Sequence, residues 1–129
     1  MRTKYIFLVI LLSIAVSSFG QVQSPSEFLR NKYGIQFTPN HLVMGYFDHL
    51  TEQSEQVQKL NYGYTNEGRP LNLYFVSSKN NLDRLETIRE QHLAKIGMGE
   101  SSVSEEDIAI VWLSYSVHGN EAGGTEASL

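Results

Sequence analysis

Six consecutive apolar residues, Ile108-Ala109-Ile110-Val111-Trp112-Leu113, constrain the fold more than any other stretch of this chain. A strand with one wet face alternates apolar and polar residues, whereas an unbroken apolar run suits a strand covered on both faces, as in α/β sheets. The segment before it is helical in pattern. Leu82, Leu85, Ile88, Leu93 and Ile96 suit a face packed on a sheet, Asp83, Arg84, Glu86, Arg89 and Glu90 the solvated side, and Asn80 or Asn81 can cap the start. Further upstream, Val57 to Tyr64 and Leu71 to Ser77 read as strands about the turn Asn66-Glu67-Gly68, most simply an antiparallel hairpin. Strand, helix and covered strand in this order predict an α/β fold with a right-handed crossover. Met98 to Asp107, polar and small, reads as a loop.

The front of the chain has a different character. Arg2 and Lys4 precede an apolar run from Tyr5 to Leu12 that continues through Ile14, Ala15 and Val16 and ends in Ser18-Phe19-Gly20, the layout of a secretory signal cleaved after Gly20. Its unbroken apolar core is shorter than the ~20 residues a membrane span needs, so the expected product is exported, secreted or periplasmic, with no stable membrane insertion after cleavage. Residues 21–56 form a helical lead-in. Ser24-Pro25-Ser26-Glu27 starts one short helix, and Thr38-Pro39 starts another that carries His41, Leu42, Met44, Tyr46, Phe47 and Leu50. Residues 57–129 then hold the remaining elements.

Charge and cysteine usage narrow the function. The chain has 10 basic and 14 acidic residues, and removal of Arg2 and Lys4 leaves 8 against 14, a net charge of −6 without a basic cluster. That argues against nucleic acid or an anionic membrane as a partner. With no cysteine, no disulfide staples the domain, no lipid anchor attaches through a cysteine, and a metal site must use nitrogen and oxygen ligands.

The apolar run leads into Ser114-Tyr115-Ser116-Val117 and then His118-Gly119-Asn120-Glu121, an imidazole and a carboxylate three residues apart. With four histidines and eleven glutamates, chance supplies about 0.3 such pairs, so the spacing alone says little. His49 and Glu52 repeat it inside a helical pattern, where it reads as an ordinary polar face. His118 and Glu121 differ in position, because ligands of open α/β sheets bind beyond the carboxyl ends of strands. Gly119 eases the turn, and Gly123 and Gly124 allow close backbone approach before Thr125 and Glu126 enter a helix. Such a pair suits Zn2+, whose catalytic sites use three protein ligands. It equally suits a polar turn at a sheet edge, with Glu121 favoured in a first helical turn.

His118-Gly119-Asn120-Glu121 behind an apolar strand, with Glu67-Gly68-Arg69-Pro70-Leu71 about fifty residues upstream and a strand directly after it, resembles the N-terminal part of the zinc metallocarboxypeptidases of the carboxypeptidase A and B type. The resemblance covers roughly Val57 to Leu129. It implies a mixed-sheet, phosphorylase/hydrolase-like α/β fold, of which only the first strands and helices lie within this chain. It also implies that His118 and Glu121 are the first two ligands of one Zn2+, and that Arg69 lines the groove holding a peptide or protein substrate. The ordinary alternative for Arg69 is a solvated hairpin-end arginine. The implied reaction is hydrolysis at a peptide's C-terminus by a zinc-activated water. The third ligand, a histidine, and the general-base glutamate are expected beyond Leu129, since His41, His49 and His92 all precede His118. No catalytic residue is therefore expected within this chain, which alone should be inactive, bind zinc poorly and be marginal or prone to aggregate.

Two other functions share these residues. Zinc-dependent deacylases of the aspartoacylase and succinylglutamate desuccinylase group resemble His-Gly-Asn-Glu as well, but are typically intracellular, so the signal segment and Glu67-Gly68-Arg69-Pro70-Leu71 favour the carboxypeptidase side. A non-catalytic exported binding domain of the same fold is the second. Peptides of the cell wall are a further substrate class that the sequence does not separate from other peptides.

Overall fold

Ser24 and Pro25 open the first helix as their chemistry dictates. Proline at the first helical position gives up no hydrogen bond, and the Glu27 carboxylate accepts from the Ser24 amide at 2.8 Å and from its hydroxyl at 2.6 Å. The computed structural model describes residues 22–30, 34–99 and 108–129. The signal segment at residues 1–20 and most of the expected loop from Met98 to Asp107 lie outside them. Helix α1 is Pro25–Leu29, and Arg30 ends it in the left-handed region at φ 52°. Helix α2, Asn40–Gln53, follows with Pro39 as its N-cap.

The hairpin forms where alternation and turn chemistry place it. Strand β1, Val57–Tyr64, pairs antiparallel with β2, Pro70–Val76, in a two-stranded sheet. Gly68 takes φ +76° in the connecting turn, closed by Gly68 N–H to Thr65 O at 2.9 Å. The register shifts between Asn61 and Gly63, leaving Tyr62 without a partner in the ladder, a bulge that twists the strand. Helix α2 packs on β1. Phe47 lies on Tyr74 at 4.9 Å between ring centroids, and Phe28 stacks on His49 at 4.6 Å.

The expected third helix is two helices. Ser78, not Asn80 or Asn81, is the N-cap: its hydroxyl accepts from the Asn81 amide ahead of α3, Lys79–Leu82. The chain then breaks at Asp83 and Arg84 before α4, Leu85–Lys95. The apolar face survives the break only in part. Leu82 and Ile88 are buried, whereas Ile96 is 67% exposed. Val43, Tyr46, Leu82 and Ile88 are the buried apolar residues among those described, and Thr38 is fully enclosed.

Ile108 to Leu113 departs from expectation. The run carries no strand, and Val111, Trp112 and Leu113 are 76%, 72% and 68% exposed, so neither sheet cover nor crossover is formed among the described residues. The reason is a lack of neighbours: β1 and β2 pair only with each other, and an apolar run becomes a covered strand only when strands flank it and helices lie on it. Its first residue is nevertheless tied down, because His92 Nε2 of α4 meets the Ile108 carbonyl at 2.8 Å. A last helix, α5, spans Ala122–Ala127. No helix among the described residues is long and apolar enough to cross a membrane.

Candidate metal centre

The turn bearing the candidate ligands is closed from both sides. Ser116 adopts φ 55°, unusual for a residue with a side chain, and its hydroxyl shares a 2.6 Å hydrogen bond with that of Thr125. Gly124 lies against this corner so tightly that a Cβ there would stand 2.9 Å from the Ser116 nitrogen. Of the three glycines expected to serve the turn, Gly124 is the one that closeness requires. Gly119 and Gly123 have open space where a Cβ would go, and the left-handed turn falls on Ser116. The Glu121 amide then donates to the His118 carbonyl at 3.0 Å, and Gly124 N–H to Glu121 O at 3.3 Å, starting α5 directly behind Glu121.

This geometry brings His118 and Glu121 together. Nδ1 of His118 lies 3.3 Å from Oε1 of Glu121, with side chains 70% and 66% exposed. Two donors on one tetrahedral zinc, each about 2.0–2.2 Å from the metal, stand roughly 3.3–3.5 Å apart. The observed separation and the imidazole–carboxylate donor set therefore fit two positions of a zinc sphere. They fit a direct hydrogen bond equally well. Among the described residues no group of three His, Cys, Asp or Glu side chains could hold a metal, so this turn offers two candidate donors and no third.

The other histidines have different surroundings. His92 holds Ile108, and His49 stacks on Phe28, with Tyr46 also near. Arg69 sits at the hairpin end in an ion pair with Glu67 at 2.8 Å, both side chains largely exposed. No hydrogen bond or ion pair among the described residues joins Arg69 to His118 or Glu121. An open groove of about 360 Å3, bordered by Glu52, Glu55, Val57, Lys79, Leu82 and Asp83, contains none of the candidate residues.

Glu126 is the residue that sequence reasoning passed over. Its carboxylate accepts the Thr38 amide at 2.7 Å and the Gly34 amide at 3.3 Å, tying α5 to the segment before α2. Thr38, through its side chain and then its amide, with Gly34 adding a second amide, holds the carboxyl below the ordinary carboxylate range; desolvation works the other way. The Thr38 hydroxyl is itself buried outside hydrogen-bond geometry, so the two N–H donors are the firm part of this clamp. No local signal marks such a residue, since the Thr38 and Gly34 amides it binds lie far away in sequence. Comparison with protein families, curated proteins and solved structures found no match to this chain.

Proposed function

We propose that this chain is the N-terminal part of an exported zinc metallocarboxypeptidase, with His118 and Glu121 as two of three protein ligands and the third supplied from outside residues 1–129. The observation that supports this reading most is the 3.3 Å approach of His118 Nδ1 to Glu121 Oε1 on an exposed turn, a separation suited to two donors of one zinc. Zinc so held supplies Lewis acidity for amide hydrolysis. Arg69 is the substrate-binding residue of this proposal. Its pair with Glu67 is exposed, and such pairs are worth at most about 1 kcal/mol, so a substrate carboxylate or carbonyl competes for the guanidinium at little cost.

The same separation favours one other reading, a metal-free turn closed by an imidazole–carboxylate hydrogen bond. Metal analysis separates the two. The protein translated past Leu129 should carry one zinc per chain and lose it on His118→Ala or Glu121→Gln. Full zinc content in both variants sinks the proposal. The 129-residue chain should not hydrolyse a peptide at its C-terminal residue, and chelator-sensitive turnover by it alone would show that the machinery is not shared with residues outside it.

A further inference from the structure

We infer that Glu126 is the positioning residue of the His118–Glu121 pair, holding α5 so that the Glu121 carboxylate meets the imidazole. The purpose of this device rests on the zinc reading. The device itself rests on geometry.

Helix α5 does not stand on its own sequence. It has six residues, two of them glycine, and no side-chain hydrogen bond caps its start. Each glycine weakens a helix by about 1 kcal/mol relative to alanine, and isolated helices this short do not persist in water. Its place must come from outside. The Ser116–Thr125 hydrogen bond closes the turn on itself and does not fix where the turn sits. Glu126 does, because its bonds to Thr38 and Gly34 reach back 88 and 92 residues. Thr38 is fully enclosed and directly precedes Pro39, the cap of α2, so the anchor is the start of the longest described helix.

A carboxylate is the group this joint requires. The Thr38 and Gly34 donors are backbone N–H groups, one to each oxygen, and a glutamine would turn an NH2 toward one of them. Since Glu121 is the N-cap of α5, loss of the anchored helix lets the Glu121 side chain leave its place 3.3 Å from Nδ1 of His118.

The test uses the 129-residue chain as wild type, Glu126→Gln and Glu121→Gln. Hydrogen exchange read by mass spectrometry should show Glu126→Gln speeding exchange in residues 34–38 and 116–129 at least fivefold while residues 57–76 keep wild-type rates. Carbethoxylation of His118 should accelerate both in Glu126→Gln and in Glu121→Gln, because in both the imidazole loses its partner. Wild-type exchange in 116–129, or wild-type His118 reactivity, overturns the inference. So does equal loosening of 57–76, which would make Glu126 a general stabiliser only. Zinc titrated against a chromophoric chelator adds a separate arm: where the wild type binds, Glu126→Gln should bind about tenfold more weakly, and equal affinity overturns the inference. If the 129-residue wild type takes up no zinc, as two ligands without a third allow, the exchange and labelling results decide the role of Glu126, and the metal reading is decided by zinc content of the protein translated past Leu129.

Discussion

Tyr74 of β2 donates its phenolic hydrogen to Asp48 of α2 at 2.8 Å, joining the hairpin to the helix that packs on it. Lys59 of β1 reaches the same carboxylate oxygen at 2.8 Å, and Asn72 donates to the Tyr74 hydroxyl at 3.3 Å. Burial, then the bond to Asp48, pushes the Tyr74 phenol up from 10 to about 12.

The sign of the resulting pH dependence follows from linkage. A group whose pKa is raised on folding contributes stability that is complete below its unfolded value and disappears as pH climbs toward the folded one. The window is pH 10 to about 12. In an absorbance titration Tyr74 should ionise near pH 12, about two units above its ordinary value, and Tyr74→Phe should delete that step. A titration of Tyr74→Phe that keeps the late step would assign it to another residue.

Gly123 and Gly124 should respond to alanine with opposite signs. At Gly123 the new methyl meets open space, so the substitution should stabilise α5 by about 1 kcal/mol through helix propensity. At Gly124 it meets the Ser116 backbone at 2.9 Å and must displace the turn that carries His118. Slower hydrogen exchange in 116–129 for Gly123→Ala and faster exchange for Gly124→Ala are the expected pair.

Ile88 is one of four buried apolar residues among those described, so little else can close over a cavity made there. Ile88→Ala should cost about 2–5 kcal/mol in denaturant unfolding. Ile96→Ala, at a position 67% exposed, should cost under about 1 kcal/mol and serves as its control.

Val111, Trp112, Leu113 and Val117 are each at least 68% exposed, and no charged residue interrupts the stretch from Ile108 to Val117. Uncharged apolar segments of this kind associate with one another. Val111→Lys together with Leu113→Lys should reduce light scattering of the 129-residue chain at a given concentration. Equal scattering by both would place the sticky surface elsewhere.

The hairpin was legible because alternation and a turn glycine act locally. Val57 to Tyr64 matches β1, and the second strand is displaced by one residue. The break at Asp83 and Arg84 was not legible, since apolar residues keep helical spacing through it while the backbone leaves helical values at Arg84, with φ −128° and ψ 27°. His118 and Glu121 stood out by type and by their position behind the apolar run, not by spacing, and the structure places them side by side. Arg69 was equally visible, yet the partner it has in the structure is its near neighbour Glu67. Glu126 was illegible in principle. Its role depends on which backbone amides the fold brings within reach, and no residue pattern encodes that.

The bond from His92 to the Ile108 carbonyl is a clasp between α4 and the start of the exposed apolar run that one substitution opens. His92→Leu should speed hydrogen exchange in residues 108–113 and leave the β1–β2 hairpin at its wild-type rate.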